Sequence, residues 1–416
     1  MNLNKLYTPK QIEILKACRN NDWFMLVNHG AKRSGKTQLD NDLFLQELIK
    51  VRKTADSLGI DTPQYILAGY SLGNIQDNIL TELSNKYGLE FKLDKFNNFH
   101  LFGVKVVQTS TGSISGLGRI RGMTAFGAYI NEASLANQEV FDEIKARCSG
   151  KDARIIADTN PDHPEHWLKK DYIDAKADGI MSFPFKLDDN TFLDERYIKN
   201  TKETTPVGMF YDRGIGGLWV SGDGVVYPDF NRKLHTITRQ QAERINFDRI
   251  FAGVDWGWEH WGAIVLIGVK TGAYYVIREN AAQHVHVNGW IKEAKDIIAN
   301  YGNIPFYCDP ARPEHISSFQ EAGIRAFPGN NRVLSGIEAI ATLMKNNQFF
   351  IVYADCPRFR DEIYKYIWKK NTGEPLKEND DVLCAIRYGV YSDMTVSKNG
   401  SLDDDIKTAK KLRGYL

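Results

Sequence analysis

Several things are scarce in this 416-residue sequence, and each scarcity excludes something. Five cysteines (Cys18, Cys148, Cys308, Cys356 and Cys384) are scattered with no CxxC spacing, which argues against a zinc site or a disulfide framework and for a reducing cytoplasm. Charge of one sign is not in excess: 53 basic against 52 acidic residues leave a net charge of +1, so any basic surface must be local. No apolar run approaches the roughly 20 residues that a membrane span requires, and Asn and Lys interrupt the opening residues where a signal peptide would be apolar. No internal repeat is visible. What remains, 43% hydrophobic and 25% charged, is ordinary globular composition, long enough for two or three domains of roughly 100–200 residues.

The first third alternates strand and helix signals, the pattern of a parallel α/β sheet. Thr8-Pro9 reads as an N-cap and first helical residue, with Ile12, Leu15 and Cys18 at helical spacing behind them. Trp23 to Val27 reads as a buried strand, and Leu39, Leu43, Phe44, Leu48 and Val51 as the apolar face of the next helix. Tyr65–Ala68 is another strand, followed by a helical stripe of Ile75, Ile79, Leu83 and Tyr87. Further strands are expected at 101–109, 124–130 and 153–158. From about 186 to 245 the pattern loosens, and Gly214, Gly216, Gly217, Gly222 and Gly224 suggest a hinge. A second sheet begins near Ile250, with strands at 251–254, 263–269 and 274–277, the last two joined by a turn at Lys270-Thr271-Gly272.

Between the first strand and the second helix stands Gly30-Ala31-Lys32-Arg33-Ser34-Gly35-Lys36-Thr37, a full match to the phosphate-binding loop in its required strand–loop–helix context. Consecutive N–H groups at a positive helix end can wrap a β-phosphate. Lys36 would neutralise β/γ charge and Thr37 would ligate Mg²⁺. The apolar run Ala125–Ile130 ends in Asn131-Glu132, which looks like a Walker B strand with Asn131 in place of the aspartate and Glu132 as candidate base. The next strand ends in Thr159-Asn160, polar groups that could sense a γ-phosphate. Arg33 and Arg121 are candidates for a charge-stabilising finger.

A second set of acids lies more than two hundred residues later. Asp255 ends a strand between Gly253 and Gly257, Asp309 ends another before Pro310, and Asp380-Asp381 precede the apolar helix of Val382, Leu383, Ala385, Ile386 and Tyr388. Two-metal phosphodiester cleavage needs carboxylates that hold two cations about 4 Å apart. Strand-end Asp, strand-end Asp and helix-start Asp is the order of the ribonuclease H-like fold. Glu279 and His260 are weaker additions that read as structural or surface residues.

Together these residues resemble the large subunit of the terminase of tailed bacteriophages, along almost the whole chain: Tyr7-Thr8-Pro9-Lys10-Gln11, Gly30–Thr37, Asn131-Glu132-Ala133, Thr159-Asn160-Pro161, Gly253–Gly257, Asp309-Pro310 and Asp380–Tyr388. The resemblance implies that Gln11 reads adenine, that Gly30, Arg33, Ser34, Gly35, Lys36, Thr37, Thr159 and Asn160 contact the nucleotide, and that Thr159-Asn160 is the coupling motif. It makes Arg33 the loop arginine and Arg121 the arginine offered across a subunit boundary. It makes Asp255, Asp309 and one of Asp380 or Asp381 the nuclease acids. Two departures stand out. Asn131 replaces the Walker B aspartate, and Cys384 stands where members often carry a second Asp; a thiol is a poor ligand for hard Mg²⁺, which shifts the third ligand to Asp381 with Asp380 next. Arg387 and Tyr388 read as helix packing or backbone contacts.

The expected architecture is therefore α/β: a P-loop ATPase (parallel sheet flanked by helices) over 1–190, a hinge over 191–245, a ribonuclease H-like nuclease domain over 246–396 and a mobile polar tail over 397–416. The implied protein is a viral DNA-packaging motor in the host bacterial cytoplasm, acting transiently at the procapsid portal. It would use ATP and Mg²⁺, with Mn²⁺ an alternative at the nuclease site. Its implied partners are double-stranded viral DNA, the portal and procapsid, a small terminase subunit and further copies in a ring, the free chain being monomeric. DNA contact would run through phosphates, with Arg358, Arg360, Lys365, Lys369 and Lys370 as candidate basic segments. A helicase or remodelling ATPase without nuclease activity is the main alternative, since the first domain alone would support it. A portal-docking scaffold with two vestigial sites is the non-enzymatic one.

Overall fold

The computed structural model describes residues 3–175 and 177–396, which form two compact units. One comprises the chain through Glu203 with Met209–Ser221 and Asn371–Gly373; the other comprises Thr204–Gly208, Gly222–Lys370 and the residues from Glu374. The stretch 191–245, expected as a hinge, holds short helices at Glu195–Thr204, Met209–Gly214, Arg232–His235 and Arg239–Glu243, and the chain changes unit within it after Glu203, Gly208 and Ser221. The tail expected over 397–416 lies outside the described residues.

The first unit is built on a seven-stranded sheet of β1 (Met25–Gly30), β2 (Gln64–Gly69), β3 (Phe99–Leu101), β4 (Val104–Ser110), β5 (Gly127–Ile130), β6 (Arg154–Thr159) and β7 (Ile180–Phe185), in the order β3-β4-β2-β5-β6-β1-β7. Only the β3–β4 pair is antiparallel. Strand residues alternate between the two faces. Leu26, Tyr65, Tyr129 and Ile156 pack with Phe44 on one side, while Met25, Val27, Ile66, Ala128 and Ile155 pack with Phe141 on the other. This double burial explains why the strands read as continuous apolar runs rather than alternating ones.

Three features differ from the sequence reading. The run expected as one strand at 101–109 is the antiparallel pair β3 and β4, because the chain turns at Phe102 and Gly103, with φ +51° and +75°. β1 starts at Met25 and continues through Asn28 and His29 to Gly30, because both polar side chains find buried partners, Asp40 and Trp219. β7 contains Pro184, which demotes a strand by pattern alone but is tolerated at the sheet edge that β7 occupies. Helix α1 (Pro9–Asn20) opens with Thr8 as N-cap, and α2 (Lys36–Ser57) follows the glycine loop. The stripe from Ile75 to Tyr87 lies on a helical run that widens to π geometry over Gln76–Leu80.

The second unit carries another seven-stranded sheet: β8 (Thr236–Ile237), β9 (Arg249–Asp255), β10 (Gly262–Lys270), β11 (Ala273–Ala282), β12 (Phe306–Cys308), β13 (Ala326–Pro328) and β14 (Phe349–Val352), in the order β13-β12-β9-β10-β11-β14-β8. β9, β10 and β11 are antiparallel neighbours, while β12 is parallel to β9 and β13 to β12. This 3-2-1-4-5 arrangement, antiparallel then parallel, is the ribonuclease H-like topology. The β10–β11 turn places Thr271 at φ +50° and Gly272 at φ +81°, both positive as a type I′ hairpin turn demands. A helix over 381–396 crosses β9 at close range. A β-carbon on Gly253 would lie 1.9 Å from the Ala385 carbonyl oxygen, so only glycine lets this helix approach the strand.

Candidate active sites

In the first unit the glycine loop joins β1 to α2. Gly30 has φ +140°, and a β-carbon there would fall 2.0 Å from the Phe185 carbonyl oxygen, which accepts the Ala31 N–H at 2.9 Å. Gly35 caps α2 with φ +94°. Arg33 is held in the left-handed region at φ +59°, its carbonyl accepting the Asn190 amide at 2.7 Å and its side chain exposed. Ser34 is buried and its hydroxyl donates to Ala31 O at 2.7 Å. Thr37 sits half-buried in the first turn of α2.

Lys36 is buried, with its ammonium turned onto the loop itself. It donates to Gly30 O at 2.9 Å, Ala31 O at 2.6 Å and Ser34 Oγ at 3.3 Å, and to Asn160 Oδ1 at 3.3 Å. Burial pushes its pKa down to about 8, against the opposing pull of Asp158, Asp40 and Glu132. An arriving phosphate would exchange these carbonyl contacts for charged oxygens, which an ammonium prefers. Asn160 is thereby brought to the loop lysine from the end of the neighbouring strand. Thr159 is buried beside it and donates to Ser134 Oγ at 2.6 Å.

Glu132 follows β5 with φ +56°, its carboxylate accepting the Asn74 amide at 3.2 Å. Burial and then Asp158 raise its pKa, while Lys32 and Lys36 lower it. Asn131 is buried between Asn78, from which it accepts at 3.0 Å, and Asp158, to which it donates at 2.8 Å. Gln11 is the N3 residue of the α1 capping box. Its carbonyl accepts Thr8 N–H at 2.8 Å and its amide donates to Gly35 O at 2.9 Å, so the side chain is tied to the loop. Arg121 is exposed at the end of the helix Leu117–Ile120.

Sequence reasoning passed over the polar layer beneath this loop. Asp40 on α2 is fully buried and accepts from Asn28 at 2.6 Å; burial and Asp158 hold its carboxyl well above the usual range. Asp158, the penultimate residue of β6, lies opposite Asn28 of β1. Nothing in a strand-end Asp signals such a layer, because its members come from three separate segments.

In the second unit Asp255 ends β9, and Asp309 follows β12 on the adjacent strand, its N–H donating to Val254 O at 2.8 Å. The close crossing at Gly253 brings Asp380 and Asp381, at the start of the 381–396 helix, beside them. Burial holds the Asp255 carboxyl well above its ordinary range, with Asp309, Asp381 and Asp380 adding to the rise in that order. Four carboxylates thus share one field. Among the described residues, however, no three acidic, His or Cys side chains converge as a ready metal cage. Three of them have partners of their own. Asp309 accepts from the Tyr388 hydroxyl and from Ala311 N–H, each at 3.0 Å. Asp381 lies 3.4 Å from Arg358 Nη2, and Asp380 accepts from the Cys384 thiol at 3.5 Å.

Two expectations are corrected by this geometry, those for Tyr388 and Arg358. Tyr388 is more than helix packing, since its hydroxyl reaches Asp309. Arg358 does not offer a free basic surface: its Nε donates to the fully buried Glu362 at 2.9 Å, and its guanidinium lies 5.0 Å from the Trp261 ring. Arg387 is 3% exposed, and its Nε and Nη1 have no hydrogen-bond partner. Glu362 was missed altogether. It accepts the Val382 and Leu383 N–H groups at 2.9 and 3.1 Å, capping the helix that carries the acids, and burial pushes its pKa up to about 8. Glu279 is structural, receiving the Phe359 N–H at 3.0 Å and the Arg358 N–H, while His260 is exposed. Lys365, Lys369, Lys370 and Arg360 are exposed.

Comparisons with known proteins agree with both units. Residues 30–234 match the family model described as terminase large subunit, T4likevirus-type, N-terminal. The fold is similar to that of the large terminase from a thermophilic bacteriophage, with a TM-score of 0.79 and 22% identity over 92% of this chain and 98% of that one. The same protein solved with ADP gives a TM-score of 0.77 at 22% identity over 92% and 98% of the two chains, and with ATP-gamma-S 0.75 at 22% over 93% and 99%. No curated protein sequence matches significantly. The resemblance drawn from the motifs is borne out, and so is the fold class.

Proposed function

From the premise that residues 30–234 carry the N-terminal domain of the terminase large-subunit family, on a fold shared with a solved large terminase, we propose that this chain is the motor subunit of a viral DNA-packaging machine. It would hydrolyse ATP in the first unit to translocate double-stranded DNA into a procapsid, and cut concatemeric DNA in the second. The observation that carries this reading is the pairing, in one chain, of a phosphate loop whose Lys36 meets Asn160 with four aspartates that act on one another's charge at the ends of β9 and β12 and the start of the 381–396 helix. A solved relative of the same fold is described in complex with ATP-gamma-S, which favours ATP as the nucleotide.

In the first unit the loop N–H groups and Lys36 would hold the β- and γ-phosphates, with Asn160 and Thr159 at the γ end and Gln11 toward the base. Glu132 would take the proton of the attacking water, and Arg33 or Arg121 would add positive charge as the phosphoryl group leaves. The donors near the loop, Thr37, Asn131, Glu132 and Asp158, are all oxygens, which suits Mg²⁺. In the second unit Asp255, Asp309 and Asp380 or Asp381 offer carboxylate oxygens whose mutual repulsion a divalent cation would relieve, which suits Mg²⁺ or Mn²⁺. Such cations supply Lewis acidity and an activated water when bound. The chain's own part is to hold the carboxylates near one another, with Arg358 and Tyr388 orienting two of them.

Among the described residues no helix is long and apolar enough to cross a membrane. We place the protein in the host cytoplasm and transiently at a portal, with a small terminase subunit and further copies of this chain as partners. The test is cleavage of supercoiled plasmid with Mg²⁺ or Mn²⁺, with ATP hydrolysis followed in parallel. Metal-dependent cutting that vanishes in Asp309→Ala while hydrolysis survives is expected. Hydrolysis without cutting under either metal would leave a translocase or helicase instead.

A further inference from the structure

The polar layer beneath the phosphate loop carries an inference about which group replaces the missing Walker B aspartate. β5 and β6 are parallel neighbours with Ile130 opposite Ala157, so the next residues, Asn131 and Asp158, stand side by side at the strand ends. Asp158 is 2% exposed. One of its oxygens accepts from Asn131 Nδ2 at 2.8 Å and from the Glu132 backbone N–H at 2.9 Å; the other accepts from the Tyr129 hydroxyl at 3.2 Å. No cation forms an ion pair with it among the described residues, yet it is the foremost acid acting on Lys36. A buried carboxylate held only by neutral donors is costly unless a cation serves it.

Glu132 adds a second observation. A non-glycine residue at φ +56° is uncommon and mildly strained. The Asp158 oxygen holds that residue's own N–H, so the conformation that aims Glu132 is anchored by Asp158. We propose that Asp158 supplies, from the neighbouring strand, the carboxylate charge that Asn131 lacks, and that it is the positioning residue for both Glu132 and the cation that accompanies the nucleotide. Asn131 then acts as a neutral spacer relaying that charge through its amide. The motif of this chain would be split across two strands, with the acid on β6 and the base after β5.

This rests on the first unit being an ATPase, and the experiment separates the two. Wild type, Asp158→Asn and the exchange variant Asp158→Asn/Asn131→Asp would be compared as full-length chains. The readouts are kcat and KM for ATP, and the Mg²⁺ concentration that half-saturates the tightening of a fluorescent ADP analogue. Asp158→Asn is nearly isosteric and can keep its hydrogen bonds by amide flips, so melting temperature should stay near that of wild type. Its kcat is expected to fall about 10–100-fold, with a similar rise in the Mg²⁺ required, the range for losing a group that orients a metal site. The exchange variant restores the charge one strand over and is expected to recover a large part of both losses. A purely structural Asp158 would lower the melting temperature without moving the Mg²⁺ requirement, which would overturn the inference. So would an exchange variant no better than Asp158→Asn. Should Asp158→Asn fail to fold, the exchange variant decides by the same readouts. Absence of hydrolysis in wild type would sink the ATPase reading itself.

Discussion

The Tyr388 hydroxyl donates to an Asp309 carboxylate oxygen across 3.0 Å, linking the last described helix to the end of β12. Asp309 is thereby oriented by a residue 79 positions away in sequence. Partners that orient a metal ligand typically matter about 10–100-fold. Tyr388→Phe is therefore expected to lower Mg²⁺-dependent plasmid cleavage by about 10–100-fold. ATP turnover should be unchanged. Cleavage equal to that of wild type at limiting Mg²⁺ would show that Asp309 finds its orientation without the hydroxyl.

Gly253 is the point where the 381–396 helix meets β9. An added β-carbon would sit 1.9 Å from Ala385 O and 2.9 Å from Gly389 N, both backbone atoms that cannot swing aside. Overpacking of this kind costs about 1–3 kcal/mol or more. Gly253→Ala should lower the unfolding midpoint in denaturant and push Asp380 and Asp381 away from Asp255, abolishing cleavage. A variant that cuts normally and unfolds at the wild-type midpoint would contradict the close crossing.

Lys36 gives the proposed ATPase a pH signature. Its pKa is pushed down to about 8 by burial. The free enzyme then loses the ammonium as pH rises through about 8, so kcat/KM for ATP should fall about tenfold per pH unit beyond it. Bound phosphates favour the charged form, so kcat itself should persist to higher pH. Stability runs the other way. Between about 8 and about 10.4 the unfolded chain binds the extra proton, so this group's contribution to stability rises with pH across that window. A kcat/KM profile flat to about pH 10 would contradict the depressed value.

His29, the residue before the glycine loop, accepts the Trp219 indole N–H at 3.1 Å, and burial, followed by Lys36, pushes its pKa down to about 4. The unfolded chain holds the extra proton between about 4 and about 6.5, so stability present above about pH 6.5 is lost as pH falls through that window, by about 3 kcal/mol in all. His29→Gln keeps an acceptor for Trp219 but cannot titrate. Its urea unfolding free energy should lose less than that of wild type between about pH 6.5 and about pH 4.5. Parallel acid losses in the two proteins would assign the acid sensitivity to carboxylates elsewhere.

Much of this molecule is legible along the chain where the physics is local. The phosphate loop was readable because its cradle is made of consecutive residues, and the Thr8-Pro9 helix start because a capping box spans four. Strands such as β2 and β6 showed as apolar runs because both sheet faces are buried. β7 did not, because Pro184 is acceptable only at a sheet edge, and edge position belongs to the assembled sheet. Arg358 looked like surface charge: Glu362 stands four residues on, but that it is fully buried and that Asp381 comes alongside depend on packing with the distant 381–396 helix.

By itself the sequence determined the glycine loop, the strand–helix alternation around it, and the positions of Asp255, Asp309, Asn131 and Asp158 at or near strand ends. Each depends on hydrogen bonding and burial patterns within about a dozen residues. Tertiary structure alone decided which carboxylates share a field, that Tyr388 and Arg358 each hold one of them, and that Asp158 stands behind Asn131 and Glu132. The links from Asp158 to Glu132 and from Tyr388 to Asp309 join residues 26 and 79 positions apart. A buried charge is tuned by whatever lies within a few ångströms, and only the packing of strands and helices sets those neighbours.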